Sequence, residues 1–317
     1  MRTIIEIYCG KKGILRMKIL DFGSCNLDYV YEVDHIVQRG ETLAANKLSI
    51  FPGGKGLNQA IAIAKAGAQV YFAGCIGEDG AISESALQQA GVNIQNLLTV
   101  KEPTGQAIIQ VDKNGENSIV IYHGANGAVT KEYIDRVLEQ FDRGDILLLQ
   151  NEINNLPYLI ENATKKGMKI ILNPSPFENT LKSINLNNLY CVVLNETEAM
   201  QWTGSKQAYD FLTWAQKDYP RLQVLLTFGE KGSVFLKNGE LYRQPAFKVS
   251  AVDTTAAGDT FTGYFVAGLY DELEIKETLK RAAVAAAIAV SRKGASSSVP
   301  TYEEVEKRII IEGVWEE

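Results

Sequence analysis

Histidine and cysteine are scarce in this chain of 317 residues, and their scarcity closes several functional routes. His35 and His123 stand in no metal-ligand spacing such as HExxH, and Cys9, Cys25, Cys75 and Cys191 include no CxxC pair, which argues against a structural zinc site. Scattered thiols of this kind fit a reducing compartment, so a cytoplasmic location is expected. An uninterrupted apolar run of the roughly 20 residues that a membrane-crossing helix needs is also missing. Excess positive charge is absent too. With 32 basic residues against 38 acidic ones and a net charge of −6, no large positive field is available for a phosphate backbone, and nucleic acid is not expected as a partner. No linker rich in Pro, Ser or Gly divides the chain, and no internal repeat is visible. The first 16 residues mix charges with short apolar runs and lack the apolar core of a secretory signal, so 1–16 read as an extension of uncertain structure ahead of Met17.

What is present is an ordinary globular composition, 46% hydrophobic and 22% charged. From Lys18 onward, short β-rich runs alternate with longer helical patterns. Strands are expected at 18–23, 69–77, 144–150, 169–173, 190–195 and 223–229, and helices at 57–67, 79–90, 131–140, 156–166, 196–203 and 206–217. Several of the strands are apolar almost throughout, as parallel strands covered on both faces are. The alternation predicts a three-layer α/β/α sandwich. A second texture interrupts it at about 26–33, 43–51, 105–111 and 117–122, where polar and apolar residues alternate between turn signals such as Lys113-Asn114-Gly115. Those stretches predict a small antiparallel sheet lying over one end of the larger one.

Three segments carry most of the chemistry. FPGGKGLNQ (51–59) is a glycine-rich turn between a strand and an alanine-rich helix. Its glycines permit close ligand approach, and the free amides at the helix start favour an oxygen-rich ligand. It is neither a Walker A loop, since Gly56 follows Lys55, nor a dinucleotide GxGxxG. Taken alone it is equally a turn that serves only geometry. Asn26 and Asp28, two apart in an extended segment, project to one side and pair an amide with a carboxylate, a combination suited to vicinal hydroxyls; in isolation they also suit a strand end facing water.

The third segment, VDTTAAGDTF (252–261), runs into a helix. Ala256, Ala257 and Gly258 are small enough to expose their N–H groups at the positive end of that helix, which makes an anion hole. Asp259 stands beside them, where it could accept a hydroxyl proton while a phosphoryl group is held. Phosphoryl transfer tolerates a weak base, because positioning and charge neutralisation matter more than early deprotonation. The plainer reading is an Asp capping a helix. Asn195-Glu-Thr-Glu198 opens another helix, Thr227 to Ser233 forms a strand, glycine turn and strand, and 291–300 is a polar loop whose carbonyls could ligate a large cation.

Together these segments resemble the ribokinase family of sugar and nucleoside kinases, also called the PfkB family, over about 17–307. PGGKGLN (52–58) is similar to the family's first signature and DTTAAGD (253–259) to its second; Asn195 to Glu198, with Gly124-Ala-Asn126 upstream, resembles the ribokinase branch. The resemblance implies a Rossmann-like sandwich spanning 17–317 as a single domain with a discontinuous β-sheet lid that commonly pairs in a homodimer. It implies ATP-dependent phosphorylation of D-ribose at the 5-hydroxyl, with deoxyribose, another sugar or a nucleoside as alternatives. Asp259 would be the base, and the amides of Ala256, Ala257 and Gly258 the anion hole. Asn26, Asp28, Gly54, Lys55, Gly56, Asn58 and Glu152 would hold the sugar, and Asn195, Glu198, Thr227, Gly229, Gly232 and Gly258 would bind ATP with its magnesium. Asp253, Thr255, Ala289, Arg292, Gly294 and Ser298 would match a monovalent-cation site, usually potassium. Two departures stand out: Ala256 replaces the usual glycine while staying small, and Leu57 fills a position often given to a smaller residue. A non-catalytic sugar or nucleotide sensor on the same fold remains the rival of a different class, and the missing GxGxxG weighs against a dehydrogenase.

Overall fold

In the computed structural model, which describes residues 17–311, the apolar runs stand side by side in one sheet. The expected extension at 1–16 lies outside the described residues. The sheet has nine strands: β1 (Ile19–Phe22), β4 (Val70–Ile76), β5 (Asn93–Thr99), β8 (Ile146–Gln150), β9 (Lys169–Asn173), β10 (Cys191–Asn195), β11 (Gln223–Thr227), β12 (Ser233–Lys237) and β13 (Glu240–Gln244). Their order is β13-β12-β11-β10-β9-β8-β1-β4-β5. Neighbours from β11 to β5 run parallel, while β12 and β13 turn back as antiparallel strands at one edge.

Each central strand is apolar on both sides because helices cover both faces. Leu20, Leu147 and Leu149 pack under α3 (Lys131–Leu138), α4 (Leu156–Lys166), α5 (Glu196–Thr203) and α6 (Tyr209–Asp218). Ile19, Ile146, Leu148 and Ile171 pack under α1 (Lys55–Lys65), α2 (Ala81–Gln89), α7 (Ala257–Tyr270), α8 (Ile275–Val290) and α9 (Tyr302–Ile311). The crossing of α1 and α7 is very close. A Cβ on Gly263 would lie 2.4 Å from Ala62 Cβ and 2.9 Å from the Gln59 carbonyl, so only glycine allows this approach. One turn earlier on α7, Asp259 is thereby brought against α1.

The small sheet has the order β3-β2-β6-β7, with β2 (Asn26–Glu32), β3 (Lys47–Gly53), β6 (Gly105–Val111) and β7 (Asn117–Tyr122). Its β3 starts at Lys47, four residues later than the pattern suggested, and runs on to Gly53, so the strand delivers the chain directly into the glycine turn. The sheet is also not wholly antiparallel as expected: β2 pairs antiparallel with β3 but parallel with β6. The sequence pattern also misses β5 and β13, both edge strands. In β5 the polar Asn96 is buried yet satisfied by reciprocal side-chain hydrogen bonds with Gln140, at 2.9 and 3.2 Å.

Candidate active site

The parallel strands deliver their polar residues to one edge. Asp21, Gln150, Asn173 and Asn195 sit at or near the C-terminal ends of β1, β8, β9 and β10, the end of an open α/β sheet where ligands bind. The N-termini of α1 and α7 converge above them.

The glycine turn is built against the first strand. Gly54 has φ 94° and precedes α1, a torsion that glycine adopts without strain. A Cβ on Gly56 would stand 2.4 Å from the Ser24 backbone nitrogen. The Leu57 N–H donates to the Ser24 carbonyl at 2.9 Å, and Leu57 is fully buried; its larger side chain points into the core. Glu152 fastens the same turn. Its Oε2 accepts from the Lys55 backbone N–H at 2.9 Å and from the Ser24 hydroxyl, which itself accepts from the Gly56 N–H at 3.2 Å.

Asp259 is buried in the first turn of α7. Its Oδ2 accepts from Asn58 Nδ2 at 3.1 Å and its Oδ1 from Gln59 Nε2 at 2.9 Å, while Lys55 Nζ lies 4.0 Å from Oδ1. The carboxylate of Asp259 raises the Lys55 pKa against the opposing effect of burial, with help from Glu152 and Glu198, so this lysine stays cationic. Asn58 Oδ1 is buried with no donor, an acceptor left open beside the carboxylate.

Ala256 precedes α7 with φ 58° and ψ 12°, in the left-handed region. Ala257 N–H makes a long 3.3 Å bond to the Thr254 carbonyl, and among the described residues no acceptor faces the N–H groups of Gly258 and Asp259. Beside Gly258 there is open space where a Cβ would point. Of the three residues expected to form the anion hole, Gly258 is the best placed, with the Asp259 amide beside it.

Asp28 and Asn26 differ in their surroundings. A Cβ on Gly53 would lie 2.2 to 2.3 Å from the Asp28 carboxyl atoms, so Asp28 folds over that glycine. Burial, reinforced by the charges of Glu152 and Asp259, pushes its pKa up from 3.8 to about 7. Asn26 Oδ1 is taken by Asn126 Nδ2 at 2.8 Å, and Asn126 Oδ1 accepts from the Cys25 N–H at 3.0 Å.

On the other flank, Asn195 and Glu198 form a capping box on α5: Asn195 Oδ1 accepts from the Glu198 N–H, and Glu198 Oε2 from the Asn195 N–H, both at 2.9 Å. Glu198 Oε1 accepts from the Ser175 hydroxyl. Each oxygen keeps a lone pair, a donor set that suits magnesium held through its own waters. Thr227 ends β11, and Gly229 and Gly232, with φ 54° and 98°, make the turn into β12. Asp253 joins two loops: its Oδ1 accepts from the Thr255 N–H and its Oδ2 from the Gly294 N–H, both at 2.9 Å. Burial would raise its pKa, but hydrogen bonds from Thr255 and Gly294 outweigh that and hold it below its ordinary value. The carboxylate therefore stays charged where the two loops meet, with its Oδ1 and Oδ2 each holding one backbone N–H. Arg292 turns its guanidinium to Glu304 at 2.6 Å, and Ser298 donates to the Ala295 carbonyl at 2.8 Å. The structure thus brings the Asp253 loop and the 291–298 loop together, with the side chain of Arg292 directed away.

Residues that sequence reasoning passed over complete the site. Ser24, Asp21, Gln59, Gln150 and Asn173 are all buried, and all but Ser24 belong to one hydrogen-bonded series that ends on Asp259. For Asp21, Gln150 and Asn173 the available signal was an acid or amide near the end of an otherwise apolar strand.

Comparison with known proteins accords with this geometry. The pfkB family carbohydrate kinases match residues 17–302. A ribokinase of Haemophilus influenzae is 38% identical over 299 residues, covering 92% of this chain and 97% of that protein. A deoxyribokinase of Salmonella typhi is 33% identical over 297 residues, covering 91% and 97%. The solved structure of Arabidopsis thaliana ribokinase complexed with ribose and ATP superposes with a TM-score of 0.81 at 31% identity, covering 92% of this chain and 98% of that one. On that likeness, which runs through both glycine-rich segments and the helix bearing Asp259, the chain belongs to the pfkB family of carbohydrate kinases.

Proposed function

We propose that this protein transfers the γ-phosphoryl group of ATP to the 5-hydroxyl of D-ribose, giving ribose 5-phosphate and ADP. The observation that carries the reading is Asp259, a buried carboxylate at the start of α7, clamped by Asn58 and Gln59 and facing Lys55. In this role Asp259 accepts the proton of the 5-hydroxyl as its oxygen bonds to phosphorus and the bond to the β-phosphate breaks. The amides that open α7, centred on Gly258, receive the charge on the transferring group. Asp28, Asn26 and the open Asn58 Oδ1 take sugar hydroxyls, with Gly54, Lys55 and Gly56 forming the floor of the sugar site. Glu152, by holding Ser24 and the Lys55 amide, shapes that floor.

Asn195, Glu198, Thr227, Gly229 and Gly232 would meet ATP and its magnesium, which neutralises phosphate charge when bound. Asp253 and Thr255, with the backbone at Ala289, Arg292, Gly294 and Ser298, would hold a potassium ion, which supplies fixed positive charge near the anion hole. The exposed apolar residues of β3 and β7 are offered as the surface through which two copies pair. Among the described residues Cys25, Cys75 and Cys191 are free and buried, in keeping with a cytoplasmic setting.

The test is ADP release coupled to a dye, over a panel of ribose, deoxyribose, other pentoses and nucleosides, with and without potassium. Ribose should give the highest kcat/KM, because a site that pairs with a hydroxyl rejects the analogue lacking it. Preference for deoxyribose would move the assignment to the deoxyribokinase branch. Ribose binding with no ADP formed would make the protein a sensor.

A further inference from the structure

The geometry points to Asp21 as a positioning residue that, through Gln150 and then Gln59, fixes the direction in which the Gln59 amide meets Asp259. This inference rests on the reading of Asp259 as the base.

The series is continuous and buried. Gln150 Nε2 donates to Asp21 Oδ1 at 3.0 Å and to Gln59 Oε1 at 2.8 Å; Gln59 Nε2 donates to Asp259 Oδ1 at 2.9 Å and to Asn173 Oδ1 at 3.1 Å. Asp21, Gln59 and Gln150 are each 0% exposed. An amide can face either way in a cavity, and what chooses is its partners. Here both N–H groups of each glutamine face acceptors. Turning Gln59 over would set its carbonyl against the Asp259 carboxylate and unmake the bond from Gln150. Gln150 is held against the same reversal by Asp21, the end of the series. Asp21 therefore acts on the base two residues removed.

Its chemistry suits that place. Burial pushes the Asp21 pKa well above the ordinary range, against the hydrogen bond from Gln150 and with the Asp259 charge adding to the rise. A rise in this direction lessens negative charge beneath the phosphoryl group while Oδ1 still accepts from Gln150. Asp21 Oδ2 and Gln150 Oε1 are both buried without a donor.

The experiment compares Asp21→Val, Asp21→Asn, Gln59→Leu, the Asp21→Val/Gln59→Leu double variant and Asp259→Asn by steady-state kinetics, with thermal melts to verify folding. Asp21→Val should lower kcat roughly tenfold or more, with KM for ribose and ATP within about threefold. Asp21→Asn, whose carbonyl still receives Gln150, should restore most of that loss. In the Gln59→Leu background, Asp21→Val should have no further effect. Wild-type kcat in Asp21→Val, beside an inactive Asp259→Asn, overturns the inference alone, and so does an equal loss in both backgrounds. Wild-type turnover in Asp259→Asn overturns the base assignment itself. Should Asp21→Val not fold, Gln150→Leu cuts the same series and is expected to reproduce the loss; unchanged turnover there overturns the inference.

Discussion

Gln59 and Asp259, 200 positions apart, meet at 2.9 Å because Gly263 lets α7 lie almost on the backbone of α1. The glycine turn that begins α1 and the carboxylate that begins α7 are thus parts of one rigid corner. A carboxylate held by two amide donors cannot rotate toward solvent, so the direction of Asp259 is set in advance of any ligand.

Replacing Asp259 by Asn removes the proton acceptor and leaves the shape. Turnover should fall by roughly two orders of magnitude or more, while ribose affinity, measured by calorimetry, stays within a few fold. Wild-type turnover in this variant would remove Asp259 from the chemistry.

Gly53 sets the position of Asp28. A methyl group there would overlap all three terminal atoms of the Asp28 side chain, and in Gly53→Ala that side chain must swing away. Losing a charge-assisted hydrogen bond to a hydroxyl corresponds to roughly a 10- to 100-fold rise in sugar KM. The KM for ATP should hold. Combining Gly53→Ala with Asp28→Ala should add little to Asp28→Ala alone, since both remove the same contact.

The fold was legible in the chain because its signals are local: an apolar run followed by a helical period places a strand and a helix wherever they occur. The anchors of the candidate site could be named for the same reason, since Gly54, Asn58 and Asp259 stand in compact motifs. The series from Asp21 to Gln59 was not, because its members lie on three different strands and a helix and become neighbours only when the sheet forms. Ala256 shows a second limit. Its volume could be judged from the residue type, and it is small enough for an anion hole, but its left-handed torsion is visible only in three dimensions.

That torsion makes a prediction of its own. A non-glycine residue in the left-handed region costs roughly 1–2 kcal/mol, more than the roughly 0.4–1 kcal/mol by which glycine loosens the unfolded chain. Ala256→Gly should therefore raise stability by about 0.5–1 kcal/mol in urea titrations. A lower midpoint would mean that the backbone at 256 is not left-handed in solution.

The small sheet has an unusual outer strand. In β7 every residue is exposed, and Val120 reaches 66%. An unpaired apolar edge strand invites a partner. Sedimentation should find the wild type as a dimer and Val120→Lys as a monomer. If both sediment alike, this strand is not the contact.

The last prediction concerns pH. Asp28 has an ordinary carboxylate pKa of 3.8 when unfolded and one of about 7 when folded. Between those values the folded protein binds the extra proton, so stability declines as pH rises across the interval and is lowest, on this account, above about 7. Asp28→Asn removes the titration. The variant should therefore match the wild type near pH 4 and gain on it steadily until about pH 7, with a constant lead beyond. Asp259 contributes to the raised value, so in an Asp259→Asn background the interval should close earlier, at a lower pH. A stability difference that stays flat from pH 4.5 to 8.5 would show that Asp28 is already charged in the folded protein, and that the sugar meets a carboxylate at every pH.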